Sequence, residues 1–252
     1  MPRYKLTLEY DGTRFHGWQH QQDGTSVQEA VERAITKFSG ETRRITAAGR
    51  TDTGVHATHQ VAHVDLERDW PLRTLADAMN AHLKGVGVQL VETRRVADQF
   101  DARISAVKRH YLYRIVNRRA FAVLDEGRVW QVKWPIDPVR MQAGADRLIG
   151  KHDFTTFRAS ECQAKSPLKT LDRLDVTQIG HEIHIRASAR SFLHSQVRSM
   201  VGSLILVATG KWTPDDLADA LNSCDRSRCG PLAPPQGLYL VGVDYDGADQ
   251  AV

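Results

Sequence analysis

Several features that mark common classes of protein are missing from this 252-residue sequence. The three cysteines, Cys162, Cys224 and Cys229, include no C-x-x-C pair, which argues against a disulfide framework and a zinc site. The longest aliphatic run, residues 204–208, is far shorter than the ~20 residues of a membrane span. The first residues lack the apolar core of a signal peptide, so we expect a cytoplasmic protein with reduced thiols and no membrane contact.

Motifs for cofactors and metals are also missing. The sequence has no Walker A loop, no G-x-G-x-x-G after a strand pattern and no G-x-S-x-G, so neither a nucleotide cofactor nor a serine nucleophile is indicated. His181 and His184 flank Glu182 and Ile183, but H-E-x-x-H requires a longer spacing on a helix, and this stretch alternates like a strand. His56, His59 and His63 leave a metal site open as an alternative, although we expect neither cofactor nor metal.

The positive charge is mild but clustered. The formal net charge is +4, and basic residues occur in pairs that could face phosphates. The alternative is a set of solvated faces balanced by the 30 acidic residues. The pairs are Arg43-Arg44, Arg94-Arg95, Lys108-Arg109 and Arg118-Arg119.

Hydrophobic periodicity predicts a mixed succession of strands and helices. Strands often follow one another directly, which favours an α+β fold of two similar halves over a doubly wound parallel sheet. We place the halves at residues 1–105 and 106–252. The predicted strands cover residues 4–12, 60–67, 86–96, 110–117, 171–179, 181–189 and 239–246, and the predicted helices cover 26–38, 71–83, 137–149, 193–208 and a short segment from 213.

One acid lies in an unusual setting, the stretch GRTDTGVHA at residues 49–57. Gly49 and Gly54 permit backbone geometries closed to other residues and allow a ligand to approach Asp52 closely. Arg50, two positions before the acid, would favour the ionised carboxylate that can act as a nucleophile or base. An ordinary turn also uses Asp and Gly, so the pattern alone leaves both interpretations open.

Three further side chains are candidates for RNA contact. Tyr111 and Tyr113 share one face of a predicted strand, where paired aromatics can stack on unpaired bases or simply pack in a core. Arg198 lies on the flank of a long predicted helix, from which it could lean into a cleft or form a surface salt bridge.

Taken in order, these elements resemble the TruA family of tRNA pseudouridine synthases. The similarity spans residues 4 to 245 and includes the family's opening, its catalytic signature and its later motifs. The matching stretches are YDGTRFHGWQ with SVQEAVERAI, GRTDTGVHA, FDARISAVKRHYLYRI, HDFTTFR, FLHSQVRSMVG and GLYLVGVDY.

The resemblance implies a role for each matching residue. Asp52 falls on the catalytic aspartate, and Arg50 on an arginine that pairs with it. Tyr111 falls on the tyrosine that stacks on the target base and is a candidate for proton abstraction at C5. Arg198 falls on a basic residue that approaches the same aspartate. The residues expected to bind substrate are Tyr111, Gly49, Gly54 and His56.

The resemblance also implies a substrate and an architecture. Family members are homodimers without cofactor or metal, bind tRNA across both subunits and modify uridines 38, 39 and 40 of the anticodon stem-loop. We expect ferredoxin-like or RRM-like halves whose mostly antiparallel sheets join around a central active-site cleft. Two residues depart from the family pattern: Thr53, where alanine or lysine is common, and His110, where arginine is frequent.

Two other functions compete with this prediction. A non-catalytic RNA-binding protein could use the basic surface and the Tyr111 and Tyr113 pair, although such a protein has little use for an isolated carboxylate. A metal-dependent hydrolase could use His56, His59 and His63. Within the favoured function, three actions of Asp52 stay open: attack on C1′, addition to C6, and removal of the 2′ proton.

Overall fold

A computed structural model describes residues 1–21 and 25–247 as a mixed α+β protein. Contacts divide the chain into two compact units, the first made of Met1–Arg109 with the chain from Tyr239 onward, the second of His110–Leu238. The strands are β1 (Arg3–Tyr10), β2 (Thr46–Ala47), β3 (His56–Asp65), β4 (Val88–Val96), β5 (Ala106–Asn117), β6 (Trp130–Val132), β7 (Gly150–Asp153), β8 (Leu168–Ile179), β9 (Glu182–Ala189) and β10 (Leu238–Tyr245), and the helices are α1 (Val27–Ser39), α2 (Leu72–Leu83), α3 (Pro138–Asp146), α4 (Gln196–Ala208) and α5 (Pro214–Asn222).

The first unit has the strand order β4-β1-β3-β10, with β2 added to β3. β1 runs antiparallel to both of its neighbours, and its residues 4–8 are all buried, Leu6 and Leu8 completely. α1 begins where the Ser26 hydroxyl accepts the Glu29 N–H, and it ends at Gly40, which adopts the left-handed conformation. α1 packs on α2 and β4 and closes the hydrophobic core.

The second unit has the strand order β5-β9-β8-β7, with β6 parallel to the end of β5. β8 pairs antiparallel with β7 and β9, and α3 packs against β8, α4 and α5. α5 begins with a full capping box between Thr213 and Asp216. Among the described residues, no helix combines the length and the apolar character that crossing a membrane would require.

Periodicity located most of the longer elements. α1, α2 and the β8–β9 hairpin are confirmed. α4 begins at Gln196 rather than residue 193, because Ser195 has a φ of 59° that an α-helix does not accommodate. α3 ends at Asp146 rather than at residue 149. The sequence prediction missed β6 and β7, which are too short to show an alternating pattern.

The predicted fold class agrees with the structure at the coarse level. The mixed α+β class and the largely antiparallel pairing are confirmed, whereas the ferredoxin-like form of the halves and a central cleft stay predictions. The structural division falls within β5, at residues 109 and 110, close to the predicted boundary between 1–105 and 106–252. It differs at the C-terminal end because β10 pairs with β3, Tyr239 lying opposite His56, and so returns to the first unit.

Candidate active site

The loop between β2 and β3 carries Asp52. The Val55 N–H donates to the Asp52 carbonyl at 3.1 Å and closes a tight turn, in which Gly54 has a φ of 78°. That value lies in the left-handed region that the third position of a type II turn requires, so glycine is needed there. Asp52 is half-buried, while Arg50 and Thr53 on either side of it are exposed. The turn therefore presents the carboxylate at the edge of the first unit's core.

The backbone before Asp52 is held by buried hydrogen bonds. The side-chain amide of Gln60 donates to the Gly49 carbonyl at 2.7 Å, and the Trp18 N–H donates to the Thr51 carbonyl at 3.0 Å. The hydroxyls of Tyr10 and Thr51 are 2.8 Å apart. Burial raises the pKa of Tyr10 to about 12, opposed by these hydrogen bonds, so the phenol is neutral at physiological pH.

A buried arginine holds the start of the same loop. Arg109 is 8% exposed, and its guanidinium donates to the carbonyls of Ala48 at 2.8 Å, Arg103 at 2.7 Å and Ala106 at 3.0 Å. Burying a guanidinium is costly unless its N–H groups find acceptors, and three carbonyls supply them here. Arg109 therefore ties the loop to β5.

The segment after β1 packs directly on the loop. A Cβ at Gly12 would lie 2.1 Å from the Val55 carbonyl oxygen, and one at Gly17 would lie 2.8 Å from the Thr51 carbonyl oxygen. Both distances are shorter than real Cβ contacts, so only glycine permits this approach. The Gly12 N–H also donates to His56 Nδ1 at 3.0 Å.

His56 lies at the first position of β3 and is 2% exposed. Its ring stacks on Tyr239 with centroids 4.7 Å apart. His56 Nδ1 accepts from the Gly12 N–H and also lies 3.4 Å from Asp11 Oδ1, a contact that is an ion pair only when the ring is protonated. These contacts give His56 a structural role, and its predicted contact with substrate stays a prediction.

Tyr111 and Tyr113 occupy different environments in the second unit. Tyr111 is half-buried, with its ring edge-to-face against Phe192 at 5.1 Å. Tyr113 is fully buried, and its hydroxyl donates to the Pro234 carbonyl at 2.7 Å. Burial raises the pKa of Tyr113, and the nearby charge of Arg198 opposes that rise. Of the two interpretations left open for the tyrosine pair, core packing therefore holds for Tyr113.

Arg198 lies in the first turn of α4 and is half-buried. Its Nε donates to the Ala233 carbonyl at 2.8 Å, and the Ala233 N–H donates to the Arg198 carbonyl at 3.2 Å. The loop of residues 224–237 thus holds this guanidinium, a function that the sequence did not reveal.

The predicted site residues lie in two sets. The first unit holds Asp52, Arg50, Gly49, Gly54 and His56, and the second unit holds Tyr111 and Arg198. Within the part of the chain that the structure describes, Arg50 makes no ion pair, and its pairing with Asp52 stays a prediction.

His56, His59 and His63 are the histidines that the sequence left open as a metal site. Across residues 1–21 and 25–247, no three or more His, Cys, Asp or Glu side chains form a group that could hold a metal ion. His56 accepts from Gly12, and His63 Nδ1 accepts the Ala102 N–H at 3.1 Å.

Sequence reasoning missed four residues that support the loop: Tyr10, Gly12, Gln60 and Arg109. One of them carried a detectable signal. Gln60 falls on the same face of β3 as Ala62 and Val64, so it is a polar residue at an inward position, and it is 0% exposed. A buried polar group requires partners, which points to a network.

Comparisons with known proteins agree on one family. The family described as tRNA pseudouridine synthase matches residues 7–103 and 145–246. The tRNA pseudouridine synthase A of Azorhizobium caulinodans is 61% identical over 245 residues, which is 97% of this chain and 95% of that protein. Those of Mesorhizobium japonicum and Brucella ovis are each 58% identical over 247 residues, covering 97% of this chain and 100% and 98% of those proteins.

Proposed function

Because this chain belongs to the tRNA pseudouridine synthase family, specifically the TruA family, we propose that it isomerises uridine to pseudouridine at positions 38, 39 and 40 of the anticodon stem-loop, with Asp52 as the catalytic carboxylate. The enzyme class, an isomerase that acts on tRNA, comes from the family. The observation that carries the residue assignment is the loop itself, which presents one half-buried carboxylate on a backbone fixed from several sides.

The reaction balances without any external reagent. The N1–C1′ bond breaks, the uracil rotates, and a C1′–C5 bond forms as the C5 proton leaves and N1 gains a proton. An ionised Asp52 could attack C1′, add to C6 or take the 2′ proton. Each route needs the carboxylate held at a set distance from the reacting atom of the target nucleotide, which a rigid backbone provides.

The target nucleotide must leave its stack before Asp52 can reach it. Stacking on an aromatic side chain contributes ~1–3 kcal/mol per base and can compensate for the stacking lost in the stem. Tyr111 has a partly exposed ring, and its contact with Phe192 restricts the orientation of that ring. In the proposed complex, Tyr111 and Arg198 meet the flipped uridine together with Asp52. Their positions in the matching family motifs support this assignment.

The same proposal covers the partners and the setting. We assign a cytoplasmic homodimer that binds tRNA across both subunits and needs no cofactor, in which ferredoxin-like halves meet around a central cleft. The support is the family membership of the chain.

Tritium release from tRNA labelled at C5 of uridine tests the function. Wild-type protein should release tritium from an anticodon stem-loop with uridine at 38, 39 or 40 and none when all three are cytidine. Asp52→Asn should lower turnover by more than about a thousandfold. Asp65→Asn removes a carboxylate that pairs with Arg3 outside the loop and serves as the matched control.

Two results would contradict the proposal. Turnover by Asp52→Asn at the level of Asp65→Asn would remove the catalytic assignment. Salt-sensitive tRNA binding by wild-type protein with no pseudouridine product would instead favour a non-catalytic RNA-binding protein.

A further inference from the structure

We propose that a buried network formed by Tyr10, Thr51 and Gln60 positions Asp52 for the isomerisation, an inference that rests on the proposed catalytic role of Asp52. The three residues do not touch the substrate in this proposal. They act through the backbone that carries the carboxylate, and we call them the Tyr10 network.

The hydrogen bonds of the Tyr10 network link Gln60 to Gly49 and, through Tyr10, to Thr51. Gln60 Nε2, which can only donate, reaches the Gly49 carbonyl at 2.7 Å and the Tyr10 hydroxyl oxygen at 3.3 Å. The Tyr10 hydroxyl therefore accepts from Gln60, and it also shares a hydrogen bond with Thr51 Oγ1, 2.8 Å away, in which either hydroxyl can be the donor. The Val61 N–H donates to Gln60 Oε1 at 3.2 Å, which fixes the orientation of the amide.

The network controls the residues directly before Asp52. Thr51 is buried, with 6% of its surface exposed, and its carbonyl accepts a hydrogen bond from the Trp18 N–H. A change in the backbone torsions of Thr51 that broke its hydrogen bond to Tyr10 would also turn Asp52, because the two residues share a peptide unit. The Gly49 carbonyl bond to Gln60 sets the path of the chain two residues earlier.

Burial makes the network stiff. Gln60 is 0% exposed and Tyr10 is 5% exposed, so a broken hydrogen bond cannot be replaced easily by water. Burial also keeps the Tyr10 phenol protonated, since its pKa is raised to about 12. A displacement of about 1 Å at a reacting group can lower turnover by about a hundredfold, so a stiff support has a measurable effect on the chemistry.

Removal of the Thr51 hydroxyl tests the proposal. Thr51→Val keeps the shape but loses the bond to Tyr10, and it should lower kcat by about 10- to 100-fold while KM for tRNA changes by less than about threefold. Thr51→Ser restores the hydroxyl and should return kcat to within about threefold of wild type. Thr53→Val makes the same chemical change at an exposed position on the other side of Asp52 and is the matched control.

A double substitution separates positioning from general damage. Tyr10→Phe and Thr51→Val both remove the Tyr10–Thr51 hydrogen bond, and Tyr10→Phe also removes the bond from Gln60. The kcat of the double variant should therefore match that of Tyr10→Phe rather than the product of both losses. Thermal melts monitored alongside give the folded fraction, and kcat is expressed per folded molecule.

Three results overturn the inference: a folded Thr51→Val with wild-type kcat, an equal loss in Thr53→Val, or multiplicative losses in the double variant. A lower melting temperature without a change in kcat gives the network a purely structural role and also overturns it. The Asp52→Asn variant distinguishes the two proposals. If Asp52→Asn is inactive and Thr51→Val has wild-type kcat, the Tyr10 network is refuted and the catalytic role of Asp52 stands. If Asp52→Asn is active, the catalytic role of Asp52 is itself refuted.

Discussion

Gly12→Ala should damage activity far more than it damages stability. The new Cβ would lie 2.1 Å from the Val55 carbonyl oxygen, 2.5 Å from the Val55 carbonyl carbon and 2.9 Å from the Gly54 carbonyl carbon. All three are backbone atoms of the Asp52 loop, so no side-chain rotation can relieve the overlap. The loop and the end of β1 must separate by about 1 Å to reach an ordinary contact.

That displacement determines how much stability and how much activity Gly12→Ala should lose. Overpacking of a core typically costs about 1–3 kcal/mol, and each kcal/mol lowers the melting temperature of a chain this long by roughly 2–4 °C. We therefore expect a melting temperature lower by about 2–12 °C. A shift of about 1 Å at Asp52 should lower kcat by about a hundredfold.

Gly40→Ala is the matched control for Gly12→Ala. Gly40 ends α1 with a φ of 75°, and a Cβ there would meet nothing within 4 Å. Alanine in this left-handed conformation should cost about 1–2 kcal/mol of stability and leave kcat unchanged. Tritium release is measured for both variants at a temperature where both are folded. A Gly12→Ala enzyme with wild-type kcat, or an equal loss of kcat in Gly40→Ala, would refute the reasoning.

Three further outcomes follow from the described contacts. Tyr113→Phe loses its bond to the Pro234 carbonyl and should cost about 1 kcal/mol of stability without changing kcat, as thermal melts and tritium release would show. Tyr111→Ala should instead lower kcat/KM by about 10- to 100-fold, and a wild-type value would contradict its stacking role. A hydrogen bond from Arg3 holds the pKa of Asp65 below its usual value of 3.8, so this pair contributes stability above pH 3.8, and that stability is lost as the pH falls through the lowered pKa. Melting temperatures of Asp65→Asn should therefore fall less between pH 7 and pH 3 than those of wild type.

The sequence predicted the location of the Asp52 loop because periodic elements bracket it. The alternation of apolar and polar residues in β1 and β3 and the 3.6-residue apolar period of α1 are local properties, so they can be recognised without tertiary information. One boundary that failed, the start of α4, depends on a single torsion angle. Ser195 delays the start of α4 through a positive φ that nothing in its residue type demands.

The paired basic residues show why surface charge was harder to interpret. Arg109 appeared in the sequence as half of a basic pair that could face phosphate, yet it is buried against three carbonyls. Arg43 bonds to Glu41 and Glu67, and Arg95 contacts Asp69. Apart from Glu41, two residues from Arg43, the partners of these side chains are distant in sequence or belong to the backbone, so the local pattern did not identify them. The alternative interpretation, basic side chains balanced by acidic residues, therefore describes Arg43 and Arg95.

The glycines around Asp52 act by allowing close packing more than by giving freedom of movement. Gly54 is required by one torsion angle, but Gly12, forty residues earlier, lets the backbone after β1 press against the loop. The buried Tyr10 then fixes the same loop from the inside. A carboxylate that must meet a single atom of the target nucleotide gains nothing from a mobile support, since every alternative position lowers the fraction of productive encounters. The glycine-rich composition of this site is therefore explained by rigidity, and mutations that loosen it should lower kcat before they unfold the chain.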